Sequence, residues 1–453
     1  MRFVRYISFL LTILLLIQCE KEESQPEPKY EIKDVNFLYA LIERGVDTNL
    51  DSIISPEEAE AITDLDLSYC DISDMSGIEM FVNLEALSCY DTYRLTNLDV
   101  SNCSGLKYLD CSGNRLSTLD VSDLNDLQDL GCNRNKLTSL DVSNNKKLVW
   151  LNCGDNHLTS LEVSGLYDLR GLGCNRNQLT SFNISDNTDL KYLGCSENQL
   201  TNLDISNNTA LEELSCSDNQ LTSLDVSNNS SLDLLCCSEN QLTILDVSGN
   251  MALERLEVNN NSLTILDLSN NNVLNILNCS ENDLTSLDVS NNTVLSRLYC
   301  QSNQLTTLYI SNNPDLRRLE CGDNQLSTLD VSNNNDLEWL YCQSNQLTSL
   351  DVSENTELRR FYCSDNQLTS LVVSDLLDLN VLSCGGNQLT SLDISNNTSL
   401  GLGMGDWIPC FLDIENMPGL ETVCVWRLPF PPENFTLCAE GSPNVVYTTD
   451  CGK

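Results

Sequence analysis

The residues best suited to chemistry in this sequence are a confined set of arginines and aromatics. Between residues 275 and 400 the only basic residues are Arg297, Arg317, Arg318, Arg359 and Arg360, and Tyr299, Trp339, Tyr341 and Tyr362 stand near them. Guanidinium forks and aromatic faces are enriched where binding energy concentrates. Aromatic platforms flanked by hydrogen-bonding groups also suit sugar rings. These nine residues are the candidate ligand-binding set. The competing reading is that long side chains cover a polar strand surface and pair with nearby Glu320 and Glu338. Signals for catalysis are weaker. The one histidine, His157, leaves little room for acid–base work or a His-rich metal site. Gly401-Leu402-Gly403-Met404-Gly405 lacks the Lys-Ser/Thr and the strand-to-helix setting of a phosphate loop. No Ser-His-Asp set, metal-hydrolase motif or separate catalytic domain is evident. The expectation is a non-enzymatic binding protein.

Charge narrows the partners. The 453 residues include 66 Asp and Glu against 24 Lys and Arg, a net charge of -42. That excludes a phosphate-tracking nucleic-acid binder, which needs clustered cations. An apolar content of 41% is enough for a real core.

A repeat must position these residues. Cysteines recur at 89, 111, 132, 153, 174, 195, 216 and 237, then at 279, 300, 321, 342, 363 and 384. The step is 21 residues after a first step of 22, and Val258 fills the cysteine place in the one double gap. Leu211 to Ser231 is a representative unit, LEELSCSDNQLTSLDVSNNSS. Counting Leu211 as position 1, apolar residues hold positions 1, 4, 6, 11, 14 and 16. Positions 4 and 6 alternate with polar 3 and 5, which predicts a half-buried strand. One coil cannot bury six apolar groups alone, whereas stacked coils share a continuous core. Asn at position 9 is expected to satisfy backbone groups at a bend and to bond to the next coil. Ser-Asn-Asn at the far bend tolerates left-handed conformations. The arginines and aromatics fall at positions 2, 3 and 5. An acidic stripe at position 15 (Asp204, Asp225, Asp288) reads most simply as solvation and turn formation. About seventeen coils at ~4.8 Å spacing make a rod or arc of roughly 80 Å.

This unit resembles the leucine-rich repeats of the bacterial internalin family, some of which are 21 residues long and carry Cys. The resemblance covers about residues 62–426. It implies a leucine-rich-repeat solenoid of the α/β class, mostly β with an irregular convex side, whose strands line a concave face. It also implies a surface protein that binds partners through the solenoid. The sequence departs from the family in lacking a wall-sorting tail and immunoglobulin-like modules, so no particular receptor is implied.

Composition suggests disulfides, because 22 cysteines in an exported chain are many. Position argues otherwise for the fourteen repeat cysteines. Each faces inward, where Cys serves as a small hydrophobe, and Val258 and Leu67 hold the same slot. Cys410, Cys424, Cys438 and Cys451 lie outside the column, and an open solenoid end needs a cap. Two disulfides are expected there, with pairing not deducible. Cys70, Cys103 and Cys236 have no evident partner.

Residues 35–46 read as an amphipathic helix and 56–62 as a short one. Between them, Asp47, Asn49 and Asp51 stand at loop positions 1, 3 and 5, the Ile53 carbonyl at 7, Ser55 at 9 and Glu58 at 12. That order resembles an EF-hand, and hard oxygen donors at this spacing suit one structural Ca²⁺. Ser52 departs from the pattern, which has Gly there, and the loop is single. The other reading is a solvated acidic loop whose Pro56 and Glu57 start a helix.

The N-terminus reads as an address. Arg2 and Arg5 precede the apolar run Ile7–Ile17, and Cys19 follows. This is the order of an export signal, too short to span a bilayer comfortably. Leu16-Ile17-Gln18-Cys19 resembles a bacterial lipoprotein box, with Gln18 departing from the usual small residue. Glu20-Lys21-Glu22-Glu23 resembles the acidic tag of surface-exported lipoproteins of Bacteroidota.

The expected organisation is a signal peptide (1–18), an acidic linker (19–33), a helical N-terminal cap (34–62), the solenoid (63–426) and a Cys-containing C-terminal cap (427–453). The expected protein sits in the bacterial envelope, lipid-anchored to the outer membrane through Cys19 and surface-exposed. It binds a protein or glycan, touches membrane only through its lipid, and binds no nucleic acid. The alternatives are a polysaccharide-capture lipoprotein for nutrient uptake and a structural spacer without ligand.

Overall fold

The computed structural model describes residues 31–402 and 410–451. The signal peptide, Cys19 and most of the linker lie outside the described residues, as does Gly403–Gly405 of the glycine-rich string. No helix of the described residues is long and apolar enough to cross a membrane.

The N-terminal cap holds α1 (Val35–Glu43) and α2 (Pro56–Glu60). Asp34 caps α1, its carboxylate accepting the Asn36 and Phe37 N–H groups at 2.8 and 3.2 Å. The same carboxylate accepts the Ser73 N–H and hydroxyl at 2.8 and 2.7 Å, tying the helix to the first coil. Phe37, Ala40 and Leu41 form its buried face. The helix ends at Glu43 rather than 46, because Gly45 turns left-handed with φ 74°, a conformation that stops helices. α2 ends at Glu60 rather than 62; Ser55 and Glu58 form a capping box at its start.

Eighteen parallel strands of two or three residues make the sheet. It begins with β1 (Asp64–Asp66), β2 (Ala86–Ser88), β3 (Tyr108–Asp110), β4 (Asp129–Gly131), β5 (Trp150–Asn152), β6 (Gly171–Gly173) and β7 (Tyr192–Gly194). One strand per 21 residues follows, through β12 (Arg297–Tyr299), β13 (Arg318–Glu320), β14 (Trp339–Tyr341), β15 (Arg360–Tyr362) and β16 (Val381–Ser383). The column then runs past residue 426: β16 pairs with β18 (Leu412–Asp413), which pairs with β20 (Leu437–Cys438). The sheet thus enters the segment expected to be only a cap. Beside it, β17 (Ser391–Asp393), β19 (Thr422–Cys424) and β21 (Val446–Thr448) form a second small sheet. Between Phe81 and Leu402 no described residue is helical, so the convex side is irregular.

The regular coils bury the same six apolar positions, with Phe182 at position 14 only half-buried; Leu211, Leu214, Cys216, Leu221, Leu224 and Val226 are all buried. The repeat cysteines are unpaired and fully buried, with Val258 and Leu67 equally buried in the same column. Burial pushes the thiol of Cys279 up to about 12, so the column packs rather than reacts. The end cysteines pair as Cys410–Cys438 and Cys424–Cys451. Cys70, Cys103 and Cys236 are unpaired.

Two asparagine columns bind coil to coil. At position 9, the Asn219 amide donates to the Cys195 carbonyl of the preceding coil at 3.0 Å and to Cys216 at 3.1 Å. Its Oδ1 accepts the Leu200 N–H of the preceding coil at 2.9 Å. The inter-coil bonds of Asn219 therefore reach back to the preceding coil, not on to the next one as expected, because its carboxamide meets the Cys195 carbonyl and the Leu200 N–H there. At position 19, Asn229 donates to the Ile205 and Asn208 carbonyls at 3.2 and 2.8 Å, while its Oδ1 has no partner among the described residues. The position-15 carboxylates serve turns: Asp225 accepts the Ser227 N–H at 3.0 Å, and the Ser227 hydroxyl and N–H lower its pKa.

The two columns make different predictions. Asn219→Ala orphans the buried Leu200 N–H and removes three contacts to carbonyls, at about 1–3 kcal/mol for an unsatisfied group. The Ile205 and Asn208 carbonyls keep backbone donors, Asn208 N–H and Leu211 N–H at 3.0 and 3.1 Å, so Asn229→Ala orphans nothing. The urea midpoint is expected to fall clearly further for Asn219→Ala. Equal shifts would contradict this assignment.

Candidate functional site

The strand face is built by register. In each strand the middle residue points into the core, and positions 3 and 5 point outward. In-register pairing sets Arg318 beside Trp339 and Trp339 beside Arg360, with Tyr341 beside Tyr362. Strands ~4.8 Å apart put these groups in mutual reach. The Arg318 guanidinium carbon lies 4.2 Å from the Trp339 ring centroid and 5.0 Å from that of Tyr299. That of Arg360 lies 4.7 Å from Trp339 on the other side. Tyr341 and Tyr362 stack at 4.6 Å with 7° between planes. Burial raises the pKa of Tyr362. The indole is thus clasped between two cations, an arrangement worth up to ~2 kcal/mol when desolvated.

The five arginines divide into two roles. Arg318 donates to Glu320 at 2.7 Å, and Arg359 lies 3.7 Å from Glu338. This is the pairing expected of a structural covering. Arg297 and Arg317 are exposed and make no ion pair among the described residues. Together with Arg318, Glu338 and Trp339 they line a hollow of about 290 Å³. The structure therefore gathers Arg297, Tyr299, Arg317, Arg318, Trp339, Tyr341, Arg360 and Tyr362 into one patch, with Arg359 at its rim. Sequence reading missed Gln301 and Gln343, which replace the usual Ser, Gly or Asn at position 7 of the same coils. Both present a buried side-chain oxygen without a hydrogen-bond partner among the described residues. His157 is exposed.

In the cap loop, the oxygen donors are turned onto the loop itself. Asp47 Oδ1 accepts the Leu50 N–H at 2.7 Å, and its Oδ2 accepts that of Ser52 at 2.9 Å. Asn49 and Asp51 each accept the N–H two residues on, both at 2.8 Å. Ser52 takes φ 64°, supplying the bend where Gly was expected. Glu58 is buried and spans the loop. One of its oxygens accepts the Thr48 N–H and hydroxyl, both at 2.8 Å; the other accepts the Ser55 N–H and hydroxyl, both at 3.0 Å. The Ser55 N–H, then the Thr48 hydroxyl, hold Glu58 at about 2, against an ordinary 4.5.

That depression has a sign. A group whose folded pKa is lowered contributes fully above its unfolded value and loses the contribution as pH falls toward the folded one. The Tm difference between the wild type and Glu58→Gln is expected to be full above pH ~4.5 and to shrink between there and about 2. A difference independent of pH would mean that the Glu58 charge does not brace the loop.

Comparison with known proteins places this architecture. A family model described as Leucine Rich Repeat matches residues 105–127. A comparison with curated proteins gives no match. The structure of the functional domain of InlJ from Listeria monocytogenes, which includes a cysteine ladder, is similar at 36% identity and a TM-score of 0.71. The match covers 75% of this chain and 76% of that one. A leucine-rich-repeat protein of Leptospira interrogans is 25% identical over 78% of this chain and 94% of its own, with a TM-score of 0.67. The internalin InlF of Listeria monocytogenes shares the fold at 24% identity over 72% of this chain and 94% of its own, with a TM-score of 0.60. The repeat unit, the buried cysteine column and the match to InlJ together show that the chain belongs to the internalin-like family of leucine-rich-repeat proteins.

Proposed function

We propose that this chain is a non-enzymatic binding protein that holds a protein partner on its strand face at the Arg297–Arg317–Trp339 hollow. One observation carries the reading: two exposed arginines without ion pairs flank a hollow whose aromatic wall is fixed by other arginines. Fixed aromatics and available guanidinium groups suit a partner that presents carboxylates and apolar side chains. The chain is otherwise strongly acidic, so this cationic island is where an acidic surface can dock. Export through the N-terminal signal, lipidation at Cys19 and display at the outer surface complete the proposal. They rest on the residue order of the N-terminus.

The test is a binding screen of the lipid-free chain against surface-protein fractions and polysaccharides, followed by titration of the partner recovered. Arg297→Ala with Arg317→Ala is expected to weaken a protein partner at least 10-fold, in keeping with ~1–2 kcal/mol per hot-spot arginine, and to leave Tm unchanged. A polysaccharide captured at this patch would favour the nutrient-uptake reading. No ligand at all would favour the spacer.

We also propose that the cap loop takes one Ca²⁺. Its donors would be Asp47, Asn49, Asp51, the Ile53 carbonyl, Ser55 and Glu58. Their oxygen chemistry suits a hard cation, and the left-handed Ser52 provides the bend. Binding would require Glu58 to exchange its N–H and O–H donors for the ion. Calcium is expected to raise Tm relative to EDTA, and Glu58→Gln to abolish the rise. Equal Tm with and without calcium would leave Glu58 itself as the brace.

A further inference from the structure

A second hollow lies on the same face, far from the arginine patch in the sequence. It is about 480 Å³ and is lined by β3 to β7, within the ~300–1,000 Å³ range of small-ligand clefts. Its floor is an aromatic pair. Trp150 and Tyr192 stack with centroids 5.4 Å apart and 28° between planes. They belong to β5 and β7, two strand spacings or ~9.6 Å apart. Gly171 sits between them in register. A Cβ on Gly171 would meet the Trp150 ring at 2.0 Å, so the indole can lie flat across β6 only because that position has no side chain. Trp150 remains 42% exposed.

The walls are polar and lack cations. Asp110, Asp129, Ser112, Asn133 and Asn152 line the hollow, and no lysine or arginine does. Asn152 lies over Gly173, where a Cβ would come within 3.1 Å of its Oδ1. Side chains thus lie down across glycines instead of filling the space. A neighbouring hollow of about 440 Å³ shares Asn133 and Asn152 and continues to Asn175, Ser196 and Arg176, whose charge is paired by Asp155 and Glu197, so an occupant can extend as a chain.

We propose that this hollow is a binding site for a neutral oligosaccharide, with one pyranose ring resting on Trp150 and Tyr192. A pyranose has an apolar face of C–H groups that suits an exposed indole. Its ring of hydroxyls matches carboxylates and amides that accept and donate hydrogen bonds. Anionic ligands meet Asp110 and Asp129 and are excluded by like charge. The site is chemically the opposite of the arginine hollow and independent of the protein-binding reading given for it.

The probe is a panel of neutral hexasaccharides of gluco, manno, galacto and xylo type. Binding is read on the full chain by saturation-transfer NMR and tryptophan fluorescence, with an oligogalacturonate as the anionic control. At least one neutral sugar is expected to bind saturably and the oligogalacturonate not. Trp150→Ala should weaken binding at least 10-fold. Gly171→Ala should do the same by lifting the indole, with circular dichroism and Tm unchanged. Trp339→Ala should leave sugar binding intact. The proposal is overturned by a panel without saturable binding, by binding that survives Trp150→Ala, or by a preference for the anionic sugar. It is also overturned if a protein partner is lost in Trp150→Ala while no sugar binds.

Discussion

The backward reach of one carboxamide sets the terms for the whole molecule. Each position-9 asparagine from Asn135 to Asn387 finds a carbonyl and an N–H on the preceding coil, as Asn219 does with Cys195 and Leu200. Those groups stand at the correct height only if consecutive coils are the same length and conformation. The residue before it must turn left-handed, as Asp218 does with φ 54°. A buried N–H left without its acceptor costs about 1–3 kcal/mol, repeated at every coil. Hence the 21-residue period tolerates little change in the column of Leu, Cys and Asn. The outward strand positions carry none of these obligations, and variation collects there.

What varies there is organised by register across strands rather than by order along the chain. Arg318 is held by Glu320 and packed on Tyr299 and Trp339, so it stiffens the patch rather than waiting for a ligand. Arg297 and Arg317 keep their charge available. Toward the N-terminus the same geometry, with glycine in place of arginine, lowers the indole of Trp150 onto β6. The four glycines at outward strand positions from β2 to β16 are Gly131, Gly171, Gly173 and Gly194, all within β4 to β7. One repeated backbone thus presents a cationic aromatic wall at one place and a neutral aromatic floor at another.

The solenoid, its inward cysteine column and the membership of the arginine patch could be read from spacing, because period 21 and Val258 in a cysteine slot admit only a shared core. The end of α1 could not, since Arg44 continues the helical pattern and the left-handed Gly45 overrides it. Nor could β20, where Cys438 replaces the leucine-rich pattern with a disulfide to Cys410. Spacing in the cap loop identifies oxygen donors but cannot say whether they face an ion or the N–H groups of their own loop. Spacing puts Trp150 and Tyr192 at the same outward strand position two coils apart, but it does not disclose their stacking. Its cause is an absent side chain on the strand between them, and a residue-by-residue search for chemistry passes over glycine.

The ends of the asparagine column explain why the caps take the form they do. Toward the N-terminus, position 9 is Thr92, whose hydroxyl donates to Asn114 Oδ1. Asn114 has no regular preceding coil to supply a leucine N–H, and the threonine hydroxyl stands in for it. Toward the C-terminus, position 9 of the β20 coil is Ser442. Its hydroxyl donates to the Ile414 carbonyl at 2.6 Å and accepts the Met417 N–H at 2.8 Å, the same two duties that Asn219 performs. A hydroxyl is shorter than a carboxamide and satisfies fewer groups, so each end is bound less tightly than the middle. The added fastenings fall at those ends. Glu58 spans the loop before β1, and two disulfides close the coils after β16. In a stack whose stability is a sum over neighbours, a brace adds most where the ladder is weakest, which is why the bracing chemistry lies in the caps and leaves the strand face to binding.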